Sequence, residues 1–344
     1  MNFTNVHFYR TSCSSTIRFQ HLRRRKIAAN YYQYQFASRS RSFSCAPVKS
    51  PPDKTTDNKY STPLITDEGI QIFQADPNTA SSGLGLTWGS VLWPSGSCLA
   101  KYLYWKQQQR HSRMIDVDSI NKSTRILELG CGTGVVGLTC AKLGAGHVAL
   151  SDSASELWPI LRKSIEANNI DDTTTTINIY NLDWRDPSTF LNPSITNDNR
   201  YDLVVAADVL YAGMDGLFAR TLASHLPSRD EIIDGHEPPV AIIACPFRSD
   251  SPLFNFFGIV KRLGLELDRL EDGNGSAVGA APGTNLSEAF DDSSFVPLQE
   301  SRWRNVAKDP TFSSLNHDRI QIFRVRRVSG TSADARAIRR VGRI

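Results

Sequence analysis

The segment Ile126-Leu-Glu128-Leu-Gly130-Cys-Gly132-Thr-Gly134-Val-Val-Gly137 opens as a short apolar strand, passes through a turn dense in glycine and continues as a helix. Glycines at alternate positions permit positive φ and let a ligand lie against bare main chain, and N–H groups at the start of a helix favour anionic groups. The segment therefore predicts a nucleotide-like ligand. Its spacing does not choose which one, because Gly132-x-Gly134-x-x-Gly137 also satisfies the dinucleotide fingerprint.

On both sides of this turn the chain alternates strand and helix. The pattern predicts a strand over 126–129, a helix over 135–143, a strand over 147–151 ending at Asp152 and a helix around Leu157–Asn168. It continues with strand 176–180, the apolar run Leu203-Val-Val-Ala-Ala207, a helix around 217–226, strand 240–244 and a helix around 253–263. Runs this apolar are what parallel strands covered on both faces look like. The fold expected is α/β, a doubly wound and mostly parallel sheet that holds its ligand at the carboxyl ends of the strands. Leu265–Leu270 and Arg319–Arg326 alternate with no crossover helix between them, and predict an antiparallel pair closing the sheet. Upstream, Gly69–Gln74 alternates as a strand, and Gly85–Gly96 forms a loop leading into an amphipathic helix.

The flanks differ from this core. Of the 344 residues, those up to 58 are rich in Arg and Ser, and no acid precedes Asp53 although Arg10, Arg18, Arg23, Arg24, Arg25, Lys26, Arg39, Arg41 and Lys49 do. The net charge of +4 therefore sits mainly in this arm, whose composition is that of an organellar transit peptide. Mitochondrial import is the expectation, with a plastid address, the cytoplasm or a basic arm touching nucleic acid or lipid as alternatives. A domain over 59–328 follows, interrupted by irregular polar loops at 227–239 and 272–317, and a basic tail occupies 329–344. No stretch reaches the roughly 18 apolar residues that cross a bilayer, so no membrane span is expected. The six cysteines show no CxxC spacing, which argues against a structural metal.

Four positions carry chemistry. Glu128 stands two residues before the first glycine, where an acid faces either a ligand or a costly interior, and where a hydride-transferring dinucleotide fold normally has an apolar residue. Asp152 ends the second strand, where a carboxylate accepts both hydroxyls of a ribose or caps the next helix. Asp183-Trp184 follows the third strand and supplies either a flat stacking surface or a buried core Trp beside a surface Asp. Asp208-Val-Leu-Tyr211 follows the fourth.

The acid-x-Gly-x-Gly-x-Gly series Glu128, Gly130, Gly132, Gly134 resembles motif I of the seven-strand S-adenosylmethionine-dependent methyltransferases. With Trp93-Pro94-Ser95, Leu182-Asp183-Trp184 and Asp208-Val-Leu-Tyr211, the chain resembles methyltransferase family 16, the methyltransferase-like 21 group of protein-lysine methyltransferases, over roughly 69–271 and again over 319–326. The resemblance implies a seven-strand Rossmann-like sheet with an antiparallel last strand and S-adenosylmethionine as cofactor. In that scheme the cofactor's amino-acid end lies on the glycines and Glu128, its ribose on Asp152, and its adenine on Asp183 and Trp184. Trp93, counted with the cofactor-binding residues, either lines the methyl or lysine channel or packs as a core Trp. Asp208 accepts a hydrogen bond from the acceptor amine and Tyr211 orients it. Enzymes that methylate bases or glutamine usually carry two prolines where Val209 and Leu210 stand, so the partner implied is a protein substrate bearing the target lysine rather than nucleic acid. The rival readings are a methyltransferase of small molecules or nucleic acid, and, from another class, a nicotinamide-dependent oxidoreductase or a non-catalytic nucleotide-binding module.

Overall fold

A computed structural model describes residues 63–75, 88–108, 119–191, 200–211, 213–228, 232, 238–246, 252–270, 279–280, 295–297 and 320–327. The expected arm at 1–58, the tail at 329–344 and most of the loops expected at 227–239 and 272–317 lie outside these residues.

A two-residue hairpin comes first, β1 (Leu64–Ile65) with β2 (Gln71–Ile72). Helix α1 (Pro94–Gln108) follows, then β3 (Arg125–Leu129), α2 (Val135–Lys142), β4 (His147–Asp152), α3 (Trp158–Ala167) and β5 (Thr176–Asn181). The second half holds β6 (Leu203–Ala207), α4 (Asp215–His225), β7 (Val240–Pro246), α5 (Pro252–Arg262), β8 (Leu265–Leu270), the short β9 (Gly279–Ala280) and β10 (Phe295–Pro297), and β11 (Ile320–Arg327). The main sheet runs β10-β8-β11-β7-β6-β3-β4-β5, with β9 paired to β11. Strands β5, β4, β3, β6 and β7 are parallel, and β11 is antiparallel to both β7 and β8. Among the described residues, seven long strands thus make the mostly parallel sheet with an antiparallel last strand that the sequence predicts.

Two details differ from expectation. The strand expected over 69–74 is shorter, covering Gln71–Ile72, and it pairs with β1, apart from the main sheet. The reason is local: Asn168 Oδ1 accepts from the Gln71 N–H, Asn168 Nδ2 donates to the Gln71 carbonyl, and Ser164 Oγ accepts from the Phe73 N–H. Side chains at the end of α3 thereby occupy the backbone groups that a neighbouring strand needs. The 272–317 stretch, expected to be irregular, contributes β9 and β10 as short edge pairings.

The unbroken apolar runs divide by alternation between two cores. Ile126, Val148, Leu150, Val205 and Ile242 face one side with α1, α2 and α3, while Leu127, Ala149, Val204, Ala206 and Ile243 face the other with α4 and α5. Strand β11 keeps the same alternation, Ile320 and Ile322 to the first core and Phe323 and Val325 to the second. Its place between β7 and β8 is reinforced by the buried Asp268, which accepts from Arg324 opposite it.

Arg327 ends β11 and donates to the carbonyls of Ala223 and Leu226 at the end of α4 and of Leu263 just after α5. Helix ends leave carbonyls without intrahelical partners, and one guanidinium serves both helices. Arg327→Ala is expected to lower unfolding free energy by about 2 kcal/mol in urea titration. Arg327→Lys should recover little, because an ammonium lacks the planar fork. Among the described residues no helix is long and apolar enough to cross a membrane.

Candidate functional site

Parallel strands bring their carboxyl ends to one edge, and there β3, β4, β5 and β6 deliver the turns that sequence reading singled out. Between β3 and α2 the glycines hold φ of 67° at Gly130, 51° at Gly132 and 80° at Gly134, values that L side chains resist. At Gly132 space is also short: a Cβ would lie 3.0 Å from the Gly89 carbonyl oxygen, because the 3-10 turn Trp88–Ser90 closes over the glycine turn. Gly137 is needed for a different reason. A Cβ there would meet Leu150 Cδ2 at 2.3 Å and Glu128 Oε2 at 2.7 Å, so β4 and the Glu128 carboxylate pass hard against the start of α2.

Glu128 points back beneath the turn. Its Oε2 accepts from the Gly137 N–H at 2.8 Å, and the residue is 2% exposed. The acid therefore ties β3 to the first turn of α2 and holds the glycine loop between them. Burial pushes its carboxyl up to about 8, against the lowering effect of the Gly137 N–H, and the neighbouring Asp152 carboxylate adds to the rise. The folded protein thus retains a proton that the unfolded chain releases above about 4.5. The stability this group contributes is present below about 4.5 and is lost as pH rises to about 8. Glu128→Gln keeps an acceptor for Gly137 and removes the titration. Urea unfolding across that interval should show a decline with pH shallower by about 1.4 kcal/mol per unit than in wild type. An unchanged slope would assign the effect to other groups.

Asp152 sits at the end of β4 under the same turn. Its Oδ2 accepts from the Gly132 N–H at 3.1 Å and its Oδ1 from the Ala154 N–H at 3.0 Å. Burial raises its pKa, and these backbone donors oppose the rise. Each carboxylate oxygen has two lone pairs, so the group can hold the glycine turn and still accept ligand hydroxyls. Through these bonds it ties the end of β4 to the glycine turn and to the bend at Ala154, and it caps neither of the helical turns that follow.

After β5, Asp183 and Trp184 separate in role. The Asp183 carboxylate is gripped by Arg185 through Nε at 2.9 and 3.1 Å and through Nη2 at 2.7 Å. Burial acts to raise the Asp183 pKa, but the Arg185 guanidinium and backbone N–H outweigh it and the net shift is downward. Trp184 is 8% exposed and packs into the second core against Phe218, ring centroids 5.1 Å apart. Its outer edge reaches the glycine turn, where a Cβ on Gly130 would lie 3.2 Å from Trp184 Cζ2.

Asp208 leaves β6 with φ 56°, one of two non-glycine residues at positive φ among the described residues. Its N–H still donates to the Ala244 carbonyl at 2.9 Å, so the strand ladder holds until the chain turns. Its Oδ2 accepts from Ser95 Oγ at 3.1 Å. Val209 and Leu210 are buried, and Tyr211 emerges 39% exposed with its ring 6.4 Å from that of Trp184. Trp93 lies just ahead of α1, its carbonyl accepting from the Gly96 N–H. The structure therefore gathers Trp93, the glycines, Asp152, Trp184, Asp208 and Tyr211 at one edge. It turns Glu128 beneath that edge and pairs Asp183 with Arg185.

Sequence reading gave no role to Arg185, to Gly89 or to Ser95, which it quoted only as part of Trp93-Pro94-Ser95. Ser95 carried a faint signal, a small hydroxyl residue just inside a helix start marked by Trp93-Pro94. Its partner lies 113 residues away.

The edge fits a nucleoside bearing an amino-acid end. Three glycines leave main chain bare in front of β3, Asp152 is placed for a ribose, and the Trp184 edge adjoins Gly130.

Comparison with known proteins agrees in kind. Residues 78–228 match the family model described as lysine methyltransferase. Protein-lysine N-methyltransferase EFM2 of Saccharomyces cerevisiae is 27% identical over 146 residues, 40% of this chain and 33% of that protein. Histone-arginine methyltransferase METTL23 of Xenopus laevis is 28% identical, over 38% of this chain and 49% of that one. Protein N-lysine methyltransferase METTL21A of Danio rerio is 30% identical, over 33% of this chain and 48% of that one. The chain spans at most about half the length of these relatives.

Proposed function

On the premise that residues 78–228 carry the lysine methyltransferase pattern, we propose that this protein transfers a methyl group from S-adenosylmethionine to a lysine side chain of a protein substrate. The observation that carries the reading is that the Gly130–Gly134 turn and Asp208, held at φ 56°, leave the adjacent parallel strands β3 and β6 at the same edge of the sheet.

When bound, S-adenosylmethionine supplies a methyl group on a positively charged sulfur, and transfer is an in-line displacement by a neutral nitrogen. The residues of the chain do the rest. The glycine turn and Asp152 fix one end of the site, and the Trp184 and Tyr211 rings stand together beside it. A lysine amine with a pKa near 10.4 arrives charged at neutral pH and must shed a proton. Withdrawal from water lowers that pKa. Asp208 accepts a hydrogen bond from the amine and aims its lone pair, and the exposed Tyr211 orients the approaching side chain. Positioning of this kind supplies much of the rate enhancement in displacement reactions.

Incubation of the full-length protein with cofactor labelled on its methyl group and a protein extract, followed by acid hydrolysis, tests the reading. Methyl-lysine is the expected product. Methyl-arginine would move the acceptor to the chemistry in the name of the Xenopus laevis relative, and label confined to nucleic acid or small molecules would overturn the protein assignment. Calorimetry against S-adenosylmethionine and a nicotinamide dinucleotide separates this reading from an oxidoreductase. The acid-free composition of residues 1–58 supports mitochondrial import, and a fluorescent reporter fused to that segment tests it. A cytosolic reporter removes the assignment.

A further inference from the structure

We propose that Ser95 is a positioning residue for Asp208, setting the direction of the carboxylate toward the acceptor; the inference rests on the assignment of Asp208 to the acceptor side. Ser95 is the second residue of α1 and is 0% exposed. A buried hydroxyl is unfavourable unless bonded, and packing alone asks for no more than alanine at such a place. Its Oγ donates to Asp208 Oδ2 at 3.1 Å, a charge-assisted bond with directional preference.

Both ends of this bond are anchored. On one side, a Cβ on Gly96 would lie 3.0 Å from Val135 Cγ1, so the first turn of α1 is pressed against the start of α2 and has little room to slide. On the other, the Asp208 N–H is held by the Ala244 carbonyl while φ stands at 56°, which sends the side chain away from the direction of an extended strand. The hydroxyl closes this arrangement. Trp93 precedes the same helical turn, so Ser95 also makes the Trp93 segment and Asp208 parts of one unit.

The test is a double-mutant cycle in the full-length protein, read in two ways. With labelled S-adenosylmethionine and a protein extract, Ser95→Ala should lower the single-turnover transfer rate about ten- to a hundredfold, the range of a hydrogen bond to a charged group. Cofactor affinity by calorimetry should stay within a fewfold, and Ser95→Thr, which keeps the hydroxyl, should recover most of the rate. In an Asp208→Asn background, where the bond from Ser95 meets a neutral oxygen and loses its charge assistance, Ser95→Ala should add less than the single change does. The second reading is urea unfolding of the four proteins, in which the two midpoint shifts should be less than additive. Additive effects in both measurements overturn the proposal, as does a loss of cofactor affinity that accompanies the loss of rate. If the wild type labels no protein, the assignment of Asp208 to an amine fails, and the urea cycle still decides whether Ser95 and Asp208 are coupled.

Discussion

Asp208→Asn is expected to slow methyl transfer by roughly a thousandfold while leaving S-adenosylmethionine affinity within a fewfold. Losses of about 10²–10⁴ are usual when a group that manages a reacting proton is removed. Asparagine is the informative replacement because of the backbone. At φ 56° Asp and Asn are among the residues that tolerate the left-handed region, whereas alanine adds strain of its own. The amide also keeps an oxygen to accept from Ser95, so the change removes charge and leaves geometry. Single-turnover kinetics and calorimetry on the same preparation check the result. If rate and affinity fall together, Asp208 belongs to the cofactor site and the acceptor must be sought elsewhere, with Tyr211 as the remaining candidate.

The second large effect is expected at the glycine turn. Gly132→Ala should weaken S-adenosylmethionine binding about ten- to a hundredfold, corresponding to about 1–3 kcal/mol of backbone strain. Two demands act on this residue at once, a φ of 51° and a Cβ position 3.0 Å from the Gly89 carbonyl oxygen. The contact is with backbone, so relief requires the turn or the Trp88–Ser90 segment to move, and Gly132 also donates to Asp152. Gly144→Ala is the matched control. Gly144 has φ 99° but nothing within 4 Å of its Cβ position, and it lies after α2, away from the turn. It should lower stability by about 1 kcal/mol and leave calorimetric affinity unchanged. Equal losses of affinity in both variants would show that the measured effect is global destabilisation.

Much of this molecule is legible without coordinates because its cues are local. Apolar runs such as Leu203–Ala207 declare strands covered on both faces, and alternate glycines after β3 declare a turn of unusual backbone. An acid at a strand end, as at Asp152 and Asp208, declares a ligand or a cap. Element positions followed to within a few residues. The strand expected over 69–74 is present but short, Gln71–Ile72, and its partners, β1 together with Asn168 and Ser164, could not be read from its alternation.

Directions and partners were decided in three dimensions. Nothing in Glu128 itself says that it bends under the turn to Gly137, since that depends on how closely β4 approaches α2. Asp183 reads as a ligand-facing acid, and the sequence does not show that Arg185, two residues on, grips its carboxylate. Trp184 reads as either a stacking surface or a core ring, and the packing of α4 draws most of it into the core beside Phe218. The bond from Ser95 to Asp208 spans 113 residues and exists because α1 and β6 reach the same edge of the sheet. By itself the sequence determined which backbone conformations were available, because glycine, alternation and apolar runs act on neighbouring residues. Tertiary structure alone decided which side chains face the site and which face each other, because that follows from strand order and crossover packing, relations between residues far apart in the chain.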